Sequence, residues 1–198
     1  MNKKKYVNRN YLTTTRIIAL GFLITVIVGT ILLSLPIASA NGTWTDILTA
    51  AFTSTTSVCV TGLVVVDTFS YWSLFGKSVI LVLIQIGGLG IVSIITLFML
   101  LLRMKITLKS TMLLQDAFNL NSKQGLLKFT IKVIKGTFLI EGIGALIYSF
   151  YYCREYGLLK GIWFSVFHAV SAFCNAGIDI MGADSLISYH SNLLMILN

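Results

Sequence analysis

The sequence is poor in charged residues and almost free of proline. Charged residues make up 11% of the chain, the acidic residues number seven, and Pro36 is the only proline. By contrast, 56% of the residues are hydrophobic and the mean hydropathy is +0.87. Soluble domains carry about 25% charged residues. This balance excludes an ordinary soluble domain and predicts an all-α polytopic membrane protein.

Cysteine is also scarce, and no metal-binding spacing is present. Cys59, Cys153 and Cys174 form no CxxC pair and no His/Cys ligand pattern. We therefore expect small packing residues, with no disulfide and no cofactor. The net charge of +8 could indicate a nucleic-acid partner, but the basic residues flank apolar runs and form no patch with aromatics. No nucleic-acid partner is expected.

Three long apolar runs are candidates for membrane-spanning helices. They cover residues 17–35, 78–102 and about 136–152, and the third contains Glu141. A helix needs about 20 apolar residues to cross a bilayer core of about 30 Å. An acidic residue at membrane depth marks a functional site by default. A carboxylate hydrogen-bonded to a neighbouring helix or to a nearby lysine is the alternative, and we favour it for Glu141.

Two shorter apolar runs each lead towards a glycine. The first is predicted to be helical over about 45–57, capped by Thr43 or Thr45 with Asp46 in its first turn. The second is predicted over about 161–173. Both are too short to span, so each is expected to dip into the membrane and end with its carbonyls facing an ion path. A short core helix is the alternative.

The segments after these two helices are related by an internal repeat. Residues 55–63 and 170–178 lie 115 positions apart. Irregular backbone at membrane depth is tolerated where it is buried or lines a wet cavity, and a row of carbonyl oxygens can replace the water shell of a cation. The pattern therefore predicts two parts of one ion filter. Its backbone ligands are expected at Cys59, Val60, Thr61 and Gly62, and at Cys174, Asn175, Ala176 and Gly177.

Three stretches resemble a known family. They are Ser57-Val58-Cys59-Val60-Thr61-Gly62, Ser171-Ala172-Phe173-Cys174-Asn175-Ala176-Gly177 and Gln85-Ile86-Gly87-Gly88-Leu89-Gly90. With them the chain resembles the Trk/Ktr/HKT superfamily of potassium transporters, and within it the bacterial Ktr membrane subunit. The resemblance implies four repeats of membrane helix, pore loop and membrane helix around a central ion pathway, of which about two are present here.

The same resemblance carries expectations about ions and partners. It implies potassium as the transported ion, with sodium as a candidate coupling ion, and no enzymatic activity. It also implies a homodimer in the plasma membrane, in contact with lipid, that binds a cytosolic nucleotide-binding regulatory ring. Each loop has a single glycine, and the two loops differ in sequence. We therefore expect fewer well-formed ion sites, and looser discrimination against sodium, than in potassium channels.

On this interpretation the chain divides into four parts. A cytoplasmic N-terminal segment (1–16) precedes the first repeat (17–102), and a cytoplasmic amphipathic linker (103–126) precedes an incomplete second repeat (127–198). Residues 191–198 are too few to cross a bilayer. We therefore expect that the second repeat lacks its return helix, as in the N-terminal part of a longer protein.

The charges predict how the chain is oriented. Residues 1–16 and 103–135 carry 12 of the 15 basic residues, which predicts that both lie in the cytoplasm. Acids that could concentrate cations are expected at the opposite side, near the filter mouth. Five of the seven acids lie there: Asp46, Asp67, Glu155, Asp179 and Asp184.

The linker could meet two kinds of partner. Leu113, Ala117 and Leu120 fall on one helical face, which is typical of a helix lying along a membrane. The same segment could dock the regulatory ring through basic side chains. The candidates for that contact are Lys105, Lys109 and Lys123.

The remaining polar and small residues have competing interpretations. Gly87, Gly88 and Gly90 lack the spacing and the preceding strand of a nucleotide-binding loop, so close helix packing is favoured over a hinge or gate. His168 aligns with Thr53 in the repeat and is expected to be a packed, hydrogen-bonded histidine.

Three other function classes are alternatives to selective potassium uptake. They are a non-transporting structural fragment, a less selective sodium/potassium channel, and a membrane enzyme that uses Cys59, Cys174 and His168. For the enzyme, no general base or cofactor motif accompanies the three residues.

Overall fold

The computed structural model describes residues 10–90, 93–94 and 126–182, and each named element in these ranges is helical. An isolated antiparallel bridge joins Ser39 and Trp72, and the described ranges contain no strand. The all-α prediction is confirmed for these residues. In chain order the elements are α1 (Asn10–Ser34), a 3-10 helix (Pro36–Ala38), α2 (Ile47–Cys59), α3 (Thr68–Tyr71), α4 (Leu74–Leu89), α5 (Leu126–Tyr156) and α6 (Leu158–Phe173).

Two of these helices are long and apolar enough to cross a membrane, α1 over Arg16–Ser34 and α5 over Lys128–Tyr156. Only 11% of the α1 span is buried. Its large apolar side chains, such as Leu23 and Ile31, are instead exposed. An apolar outer surface suits lipid rather than water. The α1 span agrees with the predicted run 17–35.

α5 is longer than its predicted span of 136–152. Lys128, Lys132 and Lys135 lie on one exposed face in its first three turns. Long lysine side chains can reach away from the helix, so they do not end it. On the other side of the helix, buried residues recur every three or four positions. They are Thr130, Ile134, Thr137, Glu141, Gly144, Tyr148 and Tyr152.

The turn from α5 into α6 is a single residue, Gly157, with a φ of +78°. The prediction of a connection over 153–160, with the second short helix beginning near 161, is therefore wrong. Arg154 and Glu155 are tolerated at the polar end of α5, and only the glycine supplies the left-handed turn. Gly161 then lets α6 return close to α5, because a Cβ there would come within 2.5 Å of the Cys153 Cα.

The predicted uninterrupted span 78–102 is also wrong. α4 ends at Leu89, and Gly90 has a φ of +78°. The Gly90 carbonyl accepts from the Ser93 and Ile94 amides, so a new helical turn begins after the break. The rest of the run, the amphipathic linker (Leu113, Ala117, Leu120, Lys105, Lys109 and Lys123) and Asp184 lie outside the described residues.

The core of the first half lies where α1, α2 and α4 meet. Ser54 on α2 donates from its Oγ to the Val26 carbonyl on α1, at 2.9 Å. Gly29 makes this approach possible, because a Cβ there would overlap Ser54 Oγ and approach Leu83 of α4. Beside this crossing Ile84 is fully buried. The packing fixes the direction in which α2 delivers the segment that follows it.

Candidate functional site

α2 begins at an acidic cap. Asp46 Oδ2 accepts from the amides of Leu48 and Thr49 at 3.1 and 3.3 Å, so Asp46 is itself the N-cap. The predicted cap at Thr43 or Thr45 is wrong. A carboxylate can accept from two amides at once and also complements the positive end of the helix dipole. α2 runs on to Cys59, two residues beyond its predicted end.

Residues 59–62, here the first loop segment, turn sharply at the carbonyl end of α2. Val60 is left-handed with a φ of 56°, and Gly62 has a φ of 75°. The Thr61 amide donates back to the Thr56 carbonyl at 3.0 Å, and the Leu63 amide donates to Thr56 Oγ1 at 3.0 Å. Thr56 therefore braces both sides of the turn.

Residues 174–177, the second loop segment, repeat this geometry after α6. Asn175 has a φ of 58° and Gly177 a φ of 65°. The Ala176 amide donates to the Ser171 carbonyl at 2.7 Å, and the Ile178 amide donates to Ser171 Oγ at 3.1 Å. Each of these groups lies 115 positions after its counterpart in the first loop segment. The bracing hydroxyls of Thr56 and Ser171 were not predicted, although their alignment in the repeat could have indicated them.

The two loop segments touch each other through their glycines. A Cβ on Gly62 would lie 2.6 Å from the Ala176 carbonyl oxygen, closer than real Cβ atoms approach. A Cβ on Gly177 would lie 3.8 Å from the Gly62 Cα, an ordinary contact. The structure thus brings the two predicted sets of residues together, and Gly62 is where contact between them is tightest.

In the described part of the chain, the carbonyl oxygens of both loop segments have no hydrogen-bond donor. Among the described residues, none of the eight carbonyls of 59–62 and 174–177 accepts a hydrogen bond from another residue. Two adjoining rows of free carbonyls can therefore bind a partner from outside the chain, and a cation suits an oxygen-only set.

α4 supports both loop segments through two adjacent glycines. A Cβ on Gly87 would overlap the Val58 carbonyl, just before the first loop segment. A Cβ on Gly88 would overlap Cys174 Sγ, at the start of the second. The prediction that these glycines allow close packing of helix or loop backbone is confirmed for Gly87 and Gly88. It is wrong for Gly90, where a Cβ would meet no described atom within 4 Å and the positive φ ends α4.

Comparison with known proteins identifies the family. Residues 3–197 match the family described as TrkH, cation transport protein. The chain belongs to the TrkH family. It is 42% identical to the potassium/sodium uptake protein NtpJ of Enterococcus hirae over 96% of this chain and 42% of that protein.

Two Ktr relatives give the same result. The Ktr system potassium uptake protein B of Bacillus subtilis is 40% identical over 96% of this chain and 42% of its own length. Its namesake in Vibrio alginolyticus is 33% identical over 91% of this chain and 39% of its own length. The TrkH-family chain therefore spans about two fifths of the length of these curated relatives. The predicted resemblance is confirmed.

In this TrkH-family chain, Glu141 lies on the buried stripe of α5 and pairs with α4. Gln85 Nε2 donates to both carboxylate oxygens, at 2.9 and 3.1 Å. The hydrogen-bonded role expected for Glu141 is therefore confirmed. Gln85 Oε1 lies 3.9 Å from Cys174 Sγ, within the range of a weak thiol hydrogen bond. No local sequence pattern indicates this second contact, because it joins residues 89 positions apart.

His168 ties α6 to the chain beyond the second loop segment. It is 3% exposed, its Nδ1 lies 2.7 Å from the Phe164 carbonyl, and its Nε2 lies 3.4 Å from the Ile180 amide. A neutral ring that donates from Nδ1 and accepts at Nε2 satisfies both partners. The packed, hydrogen-bonded role is confirmed, and neither nitrogen is left for a metal.

The three cysteines form no disulfide. Cys59 is exposed, whereas Cys153 and Cys174 are half-buried, and all three are free thiols. Within the ranges that the structure describes, no three His, Cys, Asp or Glu side chains are grouped to hold a metal ion.

Asp67 follows the first loop segment and caps α3. Its carboxylate accepts from the Phe69 and Ser70 amides, at 3.3 and 2.9 Å, and from Ser70 Oγ. Burial raises the pKa of Asp67, but these hydrogen bonds and the positive charge of Lys77 outweigh it, so the net pKa lies below the ordinary 3.8. This carboxylate is therefore charged at neutral pH.

Proposed function

We propose that this chain forms part of a potassium-uptake subunit of the Ktr/Trk type. Dehydrated potassium ions pass a filter in which 59–62 and 174–177 supply two of four sets of backbone carbonyls. Each set belongs to one repeat of membrane helix, pore loop and membrane helix. α1, α2 and α4 belong to the first repeat, and α5 and α6 to the second.

The observation that carries this proposal is the pair of free carbonyl rows. Both rows adopt the same left-handed turn at the same offset of 115 residues, although only the glycine and the cysteine are shared between the sequences. Identical backbone on different side chains is expected where the backbone itself is the ligand. The contact of Gly62 with Ala176 supports a single ion path between the rows.

Electrostatics favour a cation at the same place. Both rows stand at the carbonyl ends of helices, α2 and α6, where the helix dipole is negative. Asp67 and Asp179 follow the first and second rows and add negative charge on the side where the chain leaves each row. We assign this side to the outside of the cell and the N-terminus to the cytoplasm.

The names of the relatives limit which ions this chain is expected to transport. The Ktr relatives are named for potassium uptake and the Enterococcus hirae relative for potassium and sodium. A less selective potassium/sodium pathway is therefore the second candidate, and the single glycine in each row favours it. A row with few well-formed sites binds the smaller ion with less penalty.

Partners of the complete protein belong to the same proposal. We assign it to the plasma membrane as a homodimer bound to a cytosolic nucleotide-binding ring, as in a multi-component Ktr system. The exposed lysine face at the start of α5 lies on the proposed cytoplasmic side and extends the basic surface available to that ring.

Uptake of rubidium and sodium by potassium-transport-deficient cells tests the function. Cells that carry the complete protein are compared with cells that carry Gly62→Ser or Gly42→Ser. Gly42 has a similar φ of +68°, but a Cβ there would meet nothing within 4 Å, so it controls for backbone strain alone. We expect Gly62→Ser to lower rubidium uptake about tenfold or more, the factor for about 1.4 kcal/mol.

The control separates strain from filter damage. Gly42→Ser should keep near-normal uptake at equal amounts of protein in the membrane. Unchanged rubidium uptake in Gly62→Ser would remove the assignment of the first loop segment, and equal losses in both variants would attribute the effect to folding.

A further inference from the structure

A polar chain crosses the apolar interior from α5 to the second loop segment. Glu141 is 6% exposed, and both of its oxygens accept from Gln85 Nε2. The other end of the Gln85 amide faces Cys174 Sγ, at 3.9 Å. Three side chains thus connect a buried carboxylate to the first residue of a carbonyl row.

The carboxylate determines which way the amide points. Both Glu141 oxygens accept from Gln85 Nε2, and an amide has one donating NH₂ and one accepting oxygen. Gln85 must therefore turn its nitrogen towards Glu141, and its oxygen is left to accept from the Cys174 thiol. A neutral amide in place of Glu141 could pair in either orientation and would lose this control.

α4 also contacts Cys174 through Gly88. A Cβ on Gly88 would lie 2.8 Å from the Cys174 Cβ and would overlap its sulfur. The sulfur therefore packs closely against the face of α4 that carries Gln85 and Gly88. An apolar groove of about 350 Å³ opens beside Gln85 and Glu141, so the amide has space to rotate away if the carboxylate is replaced.

The first loop segment has no such connection in the described part of the chain. Cys59, the counterpart of Cys174, is exposed, and Val26 stands where the repeat offset would place the counterpart of Glu141. A buried carboxylate is expensive at membrane depth. Its presence in one repeat alone indicates a task that is specific to the second loop segment.

We propose that Glu141, acting through Gln85, is a positioning residue that sets Cys174 and thereby the ion preference of the second loop segment. This proposal rests on the proposed function. Glu141 does not touch the ion. It fixes an amide whose oxygen holds the thiol, and the adjoining Cys174 carbonyl keeps its place in the row.

The test is a double-mutant cycle read as the ratio of sodium to rubidium uptake by the complete protein. Glu141→Gln is expected to raise this ratio about threefold to tenfold, the factor for one ordinary hydrogen bond. Cys174→Ala removes the same hydrogen bond and should raise it similarly. Adding Glu141→Gln to Cys174→Ala should change the ratio no further.

A matched background shows whether the effect is local to the second loop segment. Cys59→Ala removes the equivalent thiol of the first loop segment, which has no connection like that of Glu141, Gln85 and Cys174. When Glu141→Gln is added to Cys59→Ala, it should change the ratio as much as it does in the unmodified protein. Independent, multiplied effects of Glu141→Gln and Cys174→Ala would overturn the proposal, because Glu141 would then act elsewhere. If Glu141→Gln does not reach the membrane, Gln85→Met replaces it, and an unchanged ratio in Cys174→Ala alone is also decisive against the relay.

The same uptake measurements give a different result if the proposed function itself is wrong. Unmodified protein that takes up neither rubidium nor sodium would overturn potassium uptake, and this proposal with it. Normal uptake with an unaltered ratio in every variant would overturn the relay and leave the proposed function in place.

Discussion

Single residues hold the two loop segments in conformations that most side chains avoid. Val60 is left-handed although it is β-branched, whereas Asn175 tolerates that region more readily. A left-handed residue other than glycine costs about 1–2 kcal/mol. The strained conformations are kept because Thr56 and Ser171 stabilise the turns through hydrogen bonds to the chain on both sides.

The His168 ring offers a test of such bracing in the second half. Replacing it by leucine leaves the Ile180 amide, on a fully buried residue, without its acceptor. An unsatisfied buried donor costs about 1–3 kcal/mol. We expect His168→Leu to lower the unfolding temperature in detergent, measured by thermal melting of the purified protein.

The repeat supplies the control for that measurement. Thr53 occupies the position equivalent to His168. Thr53→Ala removes buried side-chain atoms, but no described backbone amide donates to that side chain, so no amide loses its acceptor. Thr53→Ala should therefore destabilise the protein less than His168→Leu does. A melting temperature for His168→Leu equal to or above that of Thr53→Ala would show that the ring only fills space.

At the scale of elements, α4 is the support common to both loop segments. Gly87→Ala places a methyl group against the Val58 carbonyl, which cannot move without shifting the first loop segment. We expect a loss of thermal stability and of rubidium uptake together.

Gly142→Ala is the matched change on α5, where a Cβ would meet nothing within 4 Å. Alanine there should stabilise the helix by about 0.5–1 kcal/mol. Melting curves that shift in the same direction for both variants would contradict this packing.

The α3 cap gives a pH dependence whose sign is fixed. The pKa of Asp67 is lower in the folded protein than its ordinary 3.8, so the carboxylate stabilises the fold above that pH. This stability is lost as the pH falls through the lowered folded pKa. Asp67→Asn should lose less stability than the unmodified protein between pH 6 and pH 3, measured by thermal melting across that range.

Ser70 provides a graded version of the same measurement. Ser70→Ala removes the hydroxyl hydrogen bond that helps to lower the pKa of Asp67, while the two amide donors remain. The acid-induced loss of stability should then be smaller than in the unmodified protein and should level off at a higher pH, because the folded pKa of Asp67 moves back toward 3.8. An identical profile would mean that the cap does not control this titration.

Sequence patterns predicted some elements of this fold better than others. The two loop segments could be located because the repeat aligns Gly62 with Gly177, and α1 because an uncharged run of spanning length is hard to misinterpret. The helix ends at Gly90 and Gly157 could not, because membrane helices also accept glycine internally and only packing decides which one breaks. The contact of Gln85 with Cys174 depends on how distant helices pack, which no local pattern encodes.

At the scale of the whole molecule, packing divides the described residues into two groups that meet at the loop segments. α1, α2 and α4 form one group, α5 and α6 form the other, and α4 also contacts α6. The outer faces of α1 and α5 carry exposed apolar side chains such as Ile31 and Phe150. Lipid or further helices of the complete protein can cover them, and polar groups stay inside, between the groups.

The orientation of this arrangement is itself testable. The excess of basic residues predicts a cytoplasmic N-terminus, so the loop containing Gly42 should face outside and Lys132 should face the cytoplasm. In a background with every native cysteine replaced by serine, Gly42→Cys should react with a membrane-impermeant maleimide in intact cells. Lys132→Cys should react only after permeabilisation, since both positions are exposed on the protein. The opposite pattern would place Asp67 and Asp179 on the cytoplasmic side, where they could not concentrate potassium at the outer mouth of the filter.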